Sequence, residues 1–147
     1  MFCSQEARQV GRRPVEQVVV LPERKGILVQ CDGDLRLLPF TLSNDGSVLL
    51  RAITTFCIRT GVDDPSIEIL VSVKKKLIAF SDPGGGKFVM GKEFTVPESP
   101  TVLVWHGNFI CAAMPAYQRQ YVLMNDTDGM IQDIAPLVSK CRPRMVI

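Results

Sequence analysis

The 147-residue chain is short of most features that announce a chemistry. Charge of one sign is missing: 17 Lys and Arg against 15 Asp and Glu leave a formal +2. That is too small for a dedicated nucleic-acid binder, whose phosphate contacts need a strongly basic face. With 46% hydrophobic and 22% charged residues, charge repulsion cannot keep the chain unfolded, and one globular body is expected. There is a single histidine, His106. Cysteines are few and scattered, at Cys3, Cys31, Cys57, Cys111 and Cys141, without the paired spacing of zinc sites or the density of a disulfide scaffold, which suits a reducing cytosol. Long apolar runs are absent too. Met1 to Arg13 carries Glu6, Arg8, Arg12 and Arg13 and no apolar core, so a secretory signal is not expected. The longest stretch without formal charge, Thr101 to Gln118, is broken by His106, Gly107, Asn108 and Pro115, so no transmembrane segment is expected.

What the chain has is short runs of Val, Ile, Leu and Phe separated by Gly, Pro, Asp and Asn, with almost no helical period. This predicts an all-β fold. Strands are expected at 16–21, 26–31, 35–40, 52–58, 67–73, 77–80, 88–96, 101–105, 109–114, 120–124 and 130–134. Asp32-Gly33, Asn44-Asp45-Gly46, Asp82-Pro83-Gly84-Gly85-Gly86, His106-Gly107-Asn108 and Asp126-Thr127-Asp128-Gly129 supply turns that accept positive φ or preset a reversal. Gln17 to Phe40 and Thr101 to Met124 share a rhythm of strand, polar turn, strand and strand. About eleven strands admit a sandwich, a barrel or propeller blades. A four-stranded blade takes about 40–45 residues, so the chain holds about three, whereas a closed propeller needs about four to eight.

Candidate chemistry is sparse. A Cys nucleophile would need a base, and His106 lies five residues before Cys111 across a turn, yet Cys111 sits in an apolar strand where burial raises a thiol pKa. The pairs Asp32 and Asp34, Asp63 and Asp64, and Asp126 and Asp128 stand where Asp favours turns, and the last lacks the later bidentate Glu of a calcium loop. Gly84-Gly85-Gly86-Lys87 is followed by Phe88 and a β-run, not by the Ser/Thr and helix of a phosphate-binding loop. No catalytic residue, metal site or cofactor is assigned. The densest positive charge is Lys74-Lys75-Lys76, at an expected hairpin tip between two apolar runs. It reads either as a solvated turn that blunts edge pairing or as a contact for an acidic partner surface or anionic lipid.

A family resemblance adds to this. The string Ile69-Leu70-Val71-Ser72-Val73-Lys74-Lys75-Lys76-Leu77-Ile78-Ala79-Phe80 resembles the core of the citron homology (CNH) domain, in which an apolar strand, a lysine turn and a second strand follow one another. Ala52-Ile53-Thr54-Thr55-Phe56-Cys57-Ile58 is similar to the family's preceding strand, and Lys92-Glu93-Phe94-Thr95-Val96-Pro97-Glu98-Ser99-Pro100 to its following one. Val102 to Cys111, with Trp105, Asn108 and Ile110, and Gly129 to Pro136 resemble runs of the vacuolar-sorting tether subunits and the TGF-beta receptor-associated protein group. The pieces occur in the family's order from about Val15 to Pro136; Ala135 departs from it, standing where a large aromatic is usual.

The resemblance implies an incomplete β-propeller, about three blades of a CNH domain at 15–147, preceded by a poorly ordered segment at 1–14. It implies a non-catalytic interaction module of a HOPS- or CORVET-type tethering subunit, binding Rab-type small GTPases, sister subunits or a receptor tail. Such a module would be cytoplasmic and held peripherally, through partners, on endosomal, lysosomal or vacuolar membranes. Lys74, Lys75 and Lys76 are its candidate partner-binding residues. The alternatives are the regulatory CNH domain of a Ste20- or citron-type kinase or Rho exchange factor, and, from another class, a small β-barrel enzyme or ligand carrier.

Overall fold

The computed structural model describes residues 14–40, 46–63, 65–84, 87–114, 120–127 and 131–136. The expectation of a poorly ordered segment at 1–14 therefore falls almost wholly outside the described residues. The chain divides into two compact units, Met1–Ala52 and Ile53–Ile147. Among the described residues the only helical piece is one 3-10 turn, Pro22–Arg24, and the rest of the regular structure is strand.

The first unit is a four-stranded antiparallel meander of β1 (Gln17–Leu21), β2 (Gly26–Cys31), β3 (Asp34–Pro39) and β4 (Ser47–Leu50), paired in chain order. Its β2–β3 hairpin closes over Asp32 and Gly33, both at positive φ (56° and 76°), in the two-residue turn whose twist matches that of the flanking strands. Leu28 and Leu35 are fully buried on one face, while Val29, Cys31 and Leu38 form a cluster on the other.

The second unit is one eight-stranded sheet built from two further meanders. They are β5 (Thr55–Thr60), β6 (Ile67–Val73), β7 (Lys76–Asp82) and β8 (Val89–Thr95), then β9 (Val102–His106), β10 (Phe109–Met114), β11 (Gln120–Asn125) and β12 (Ile131–Pro136). The order is β12-β11-β10-β9-β5-β6-β7-β8, so the two meanders join through their first strands. That junction is parallel and short: Arg59 lies opposite Trp105 and Thr60 opposite His106. One apolar cluster spans both meanders, with Leu70, Leu77, Ala79 and Phe94 from the first and Leu103, Trp105, Ile110, Ala112, Met114, Val122 and Met124 from the second.

Among the described residues, three meanders of four strands match the expected blade count, and twelve strands stand where eleven were predicted. The missing one is β4, only four residues long and directly after the Asn44-Asp45-Gly46 turn. The strand expected from Ala52 starts at Thr55, where pairing with β6 begins, and Ala52 itself adopts a left-handed φ of 57°, outside the β region.

The third meander buries one face and leaves the other half open. By the β9–β10–β11 register, Val102, Val104, Phe109, Cys111, Tyr121 and Leu123 share that open face, with Val102 43% and Phe109 48% exposed. A contiguous apolar strip of this kind drives association. The isolated chain is expected to self-associate in analytical ultracentrifugation, and Val102→Ser with Phe109→Ser to shift it toward monomer. A dilute wild-type monomer that unfolds sharply and reversibly would contradict this.

Candidate functional site

The lysine turn is a tight reversal between β6 and β7, where Val73 pairs with Lys76 and only Lys74 and Lys75 are left for the loop. Lys74 sits at φ 55°, an unfavourable conformation for a side-chain-bearing residue that Gly or Asn would normally fill. All three lysines are exposed. Lys76 forms an ion pair with Glu93 of β8 at 3.0 Å, so the ammonium groups of Lys74 and Lys75 are the ones directed into solvent. The Val96 N–H donates to the Lys75 carbonyl at 2.9 Å, which ties the turn to the end of β8.

A second constellation lies at the junction of the two meanders. Arg59, on β5, is held in the parallel pairing opposite Trp105, and its guanidinium is 4.9 Å from the centre of the indole. Its Nη1 donates to Glu68 Oε1 at 2.9 Å and its Nη2 lies 3.0 Å from Asp126 Oδ2. Nη2 also donates to Asn108 Oδ1 at 3.1 Å, and Nε to the Gly107 carbonyl at 2.9 Å. The Trp105 indole N–H donates to the same Asp126 oxygen at 3.1 Å. Lys92 Nζ donates to the carbonyls of Asp126 and Thr127 at 3.0 and 3.3 Å.

This knot gathers β5, β6 and β8 of one meander with the β9–β10 turn and the end of β11 of the other. The rigid planar fork of Arg serves several acceptors at once, which Lys cannot do. A cavity of about 170 Å³ opens beside it, lined by Phe80, Phe94 and Trp105 together with Glu68 and Lys92. Next to it Thr60 Oγ1 and His106 Nδ1 are 2.9 Å apart. A Cβ on Gly61 would come within 2.5 Å of the His106 ring, and Gly61 is at φ 74°, so only glycine fits.

Sequence reasoning assigned Asp126 to a turn. It does lie in one, but its side chain turns inward and is buried. Asp128 and Gly129 of the same stretch, like Asp64, Gly85 and Gly86, lie outside the described residues. The available signals for the knot were an arginine directly after the apolar Phe56-Cys57-Ile58 run of β5, the only tryptophan and an Asp at a strand end; what the sequence could not supply was their convergence. Burial pushes the Cys57 thiol up to about 12 and also raises that of Cys111, so both are held as neutral thiols. Among the described residues no group of three or more His, Cys, Asp or Glu could hold a metal. Nor is any helix there long and apolar enough to cross a membrane.

No family model matches the chain. It is 25% identical over 146 residues to the Transforming growth factor-beta receptor-associated protein 1 of Mus musculus, covering 95% of this chain and 17% of that protein. Its identity to the protein of that name from Homo sapiens is 26% over 146 residues, again covering 17% of the relative. With Vacuolar sorting protein 39 of Arabidopsis thaliana it is 28% identical over 85 residues, 58% of this chain and 8% of that protein. The chain thus spans less than a fifth of the length of these relatives. Among solved structures, the AfRom2 CNH domain superposes with a TM-score of 0.64 at 11% identity, over 86% of this chain and 41% of that one. The fold is a CNH-like, incomplete β-propeller, and the sequence lies near the receptor-associated and vacuolar-sorting group.

The knot predicts a specific response to mutation. Arg59→Ala leaves the buried Asp126 and the half-buried Glu68 without their cation, which costs about 1–3 kcal/mol. Arg59→Lys is expected to recover less than half of that, because one ammonium cannot reproduce the fork. Urea unfolding of both variants measures it, and a loss below about 1 kcal/mol for Arg59→Ala would remove the knot's structural role.

Proposed function

We propose that this CNH-like domain is a non-catalytic interaction module of a HOPS- or CORVET-type vesicle-tethering subunit. It acts in endosome-to-lysosome or vacuole transport by binding a Rab-type small GTPase or a sister subunit. The observation that carries the reading is similarity over 95% of the chain to a receptor-associated protein, joined by partial similarity to a vacuolar sorting protein. Stacked sheets give a stiff body on which turns and edges present contacts, a task that needs no catalytic group. The chemistry agrees: the thiols of Cys57 and Cys111 are held neutral by burial, and the carboxylates of Glu68 and Asp126 are matched by Arg59. Peripheral membrane association would then come through partners.

Within this reading Lys74, Lys75 and Lys76 form the contact for an acidic partner surface. Three exposed lysines at an interface rim contribute about 0.2–1 kcal/mol each and weaken with salt. Replacing all three by Ser is therefore expected to reduce capture of a GTP-loaded Rab-type GTPase roughly 3- to 150-fold at low salt and to flatten the salt dependence. Circular dichroism should stay unchanged. Capture that is equally strong and equally salt-sensitive in the variant would return the lysines to a solvated turn.

A further inference from the structure

The lysine turn does not stand alone, because it adjoins the outermost strand of the eight-stranded sheet. β8 pairs with β7 on one side, and among the described residues no strand pairs with its other side. Every residue of β8 except Phe94 is exposed, including Val89 and Met90 at 58% each. Natural edge strands are usually shortened, covered or loaded with charge against pairing. This one is seven residues long. Its one inward-reaching lysine, Lys92, has its ammonium tied to the Asp126 and Thr127 carbonyls.

The register determines which backbone groups are on offer. The Val96 N–H donates to Lys75, and pairing continues Thr95 with Lys76, Phe94 with Leu77 and Glu93 with Ile78. Antiparallel ladders alternate hydrogen-bonded and non-hydrogen-bonded pairs. Val96 and Phe94 therefore direct their N–H and C=O toward β7, while Thr95 and Glu93 direct theirs away from the sheet. Beyond the irregularity between Ile78 and Phe80, Met90 opposes Phe80 with its exposed side chain on the same sheet face as Glu93.

Charge then selects the occupant. Lys74 and Lys75 lie exposed at the C-terminal end of β8 and Lys87 is exposed just before its N-terminal end, whereas Glu93 on the edge is already matched by Lys76. We infer that β8 is a strand-addition site for an extended acidic peptide of a partner protein. Its backbone pairs with Glu93 and Thr95, an apolar side chain covers Met90, and its carboxylates reach Lys74 and Lys75. In the antiparallel arrangement the acidic residues occupy the peptide's N-terminal end. The inference rests on reading the lysine turn as an interaction surface, and it names the kind of partner segment that surface takes. Main-chain hydrogen bonds supply affinity in this mode, and alternate side chains supply specificity.

The probe is a synthetic peptide of three glutamates followed by alternating threonine and valine, passed over the 147-residue chain immobilised at low density so that self-association does not compete. Wild type is expected to bind it. N-methylation of alternate peptide nitrogens on the edge facing β8 is expected to weaken binding at least about tenfold, and methylation of the other edge to leave it unchanged. Thr95→Pro removes an outward N–H without touching the β7 ladder and should match the first loss; Thr95→Val should not. Moving the glutamates to the C-terminal end should weaken binding several-fold. Binding indifferent to N-methylation of either edge would overturn strand addition. So would no binding up to about 1 mM. GTPase capture that persists in that case would leave the tethering reading standing, while its loss alongside intact peptide binding would remove that reading and keep the site.

Discussion

A β-sheet that is apolar on both faces has to be covered on both, and the middle meander of this chain is such a sheet. Leu70, Leu77 and Phe94 are buried on one face, and Phe56, Ile69, Val71 and Phe80 on the other. Strand β6 accordingly reads as a nearly unbroken apolar run, Ile-Glu-Ile-Leu-Val-Ser-Val, instead of an alternation of apolar and polar residues. Each fully buried aliphatic side chain contributes about 1.5–3 kcal/mol relative to exposure. Leaving one face in water would forfeit several such contributions at once, so the meander is stable only as part of a stack. The likeness to a CNH propeller fold fits this requirement, because radial repetition of four-stranded sheets covers both faces of a sheet.

Stacking alone does not fix how two meanders meet, since hydrophobic contact is nondirectional. Directionality comes from the polar groups at the β5–β9 junction. Only two residue pairs join these strands, and Arg59 surrounds them with charge-assisted bonds to Glu68 and Asp126, while Thr60 meets His106 over a glycine that leaves room for the ring. A slip of one residue would expel the guanidinium from the indole face and leave the buried Asp126 and the half-buried Glu68 unmatched. The knot thus acts on register, and the apolar cluster supplies the adhesion.

Local pattern was legible where local pattern decides. Strands β6 and β10 run over Ile67–Val73 and Phe109–Met114, the ranges their composition predicts, and Asp32-Gly33 forms the turn that its residue types demand. The count of three four-stranded repeats was legible from length. Illegible were features set by distant neighbours. β4 has only four residues and gains its identity by pairing with β3. Ala52 occupies a left-handed conformation that alanine does not advertise. Arg59, Glu68, Trp105 and Asp126 each have an ordinary local explanation, and only the topology brings them together. The lysine turn was legible as a hairpin tip, but its proximity to an open strand edge was not.

A stiff stack leaves recognition to what projects from it, and here that is the lysine turn and the outer edge of β8. That division of labour holds only if the two meanders of the second unit behave as one cooperative body. Native-state hydrogen exchange tests this most directly. The account predicts that amides of β6 and β7 and those of β9 and β10 share one opening free energy and one denaturant dependence, and that the interior amides of β8 open at lower energy, as befits an edge. If β5 to β8 and β9 to β12 open independently, with separate energies and slopes, the stacking constraint is wrong.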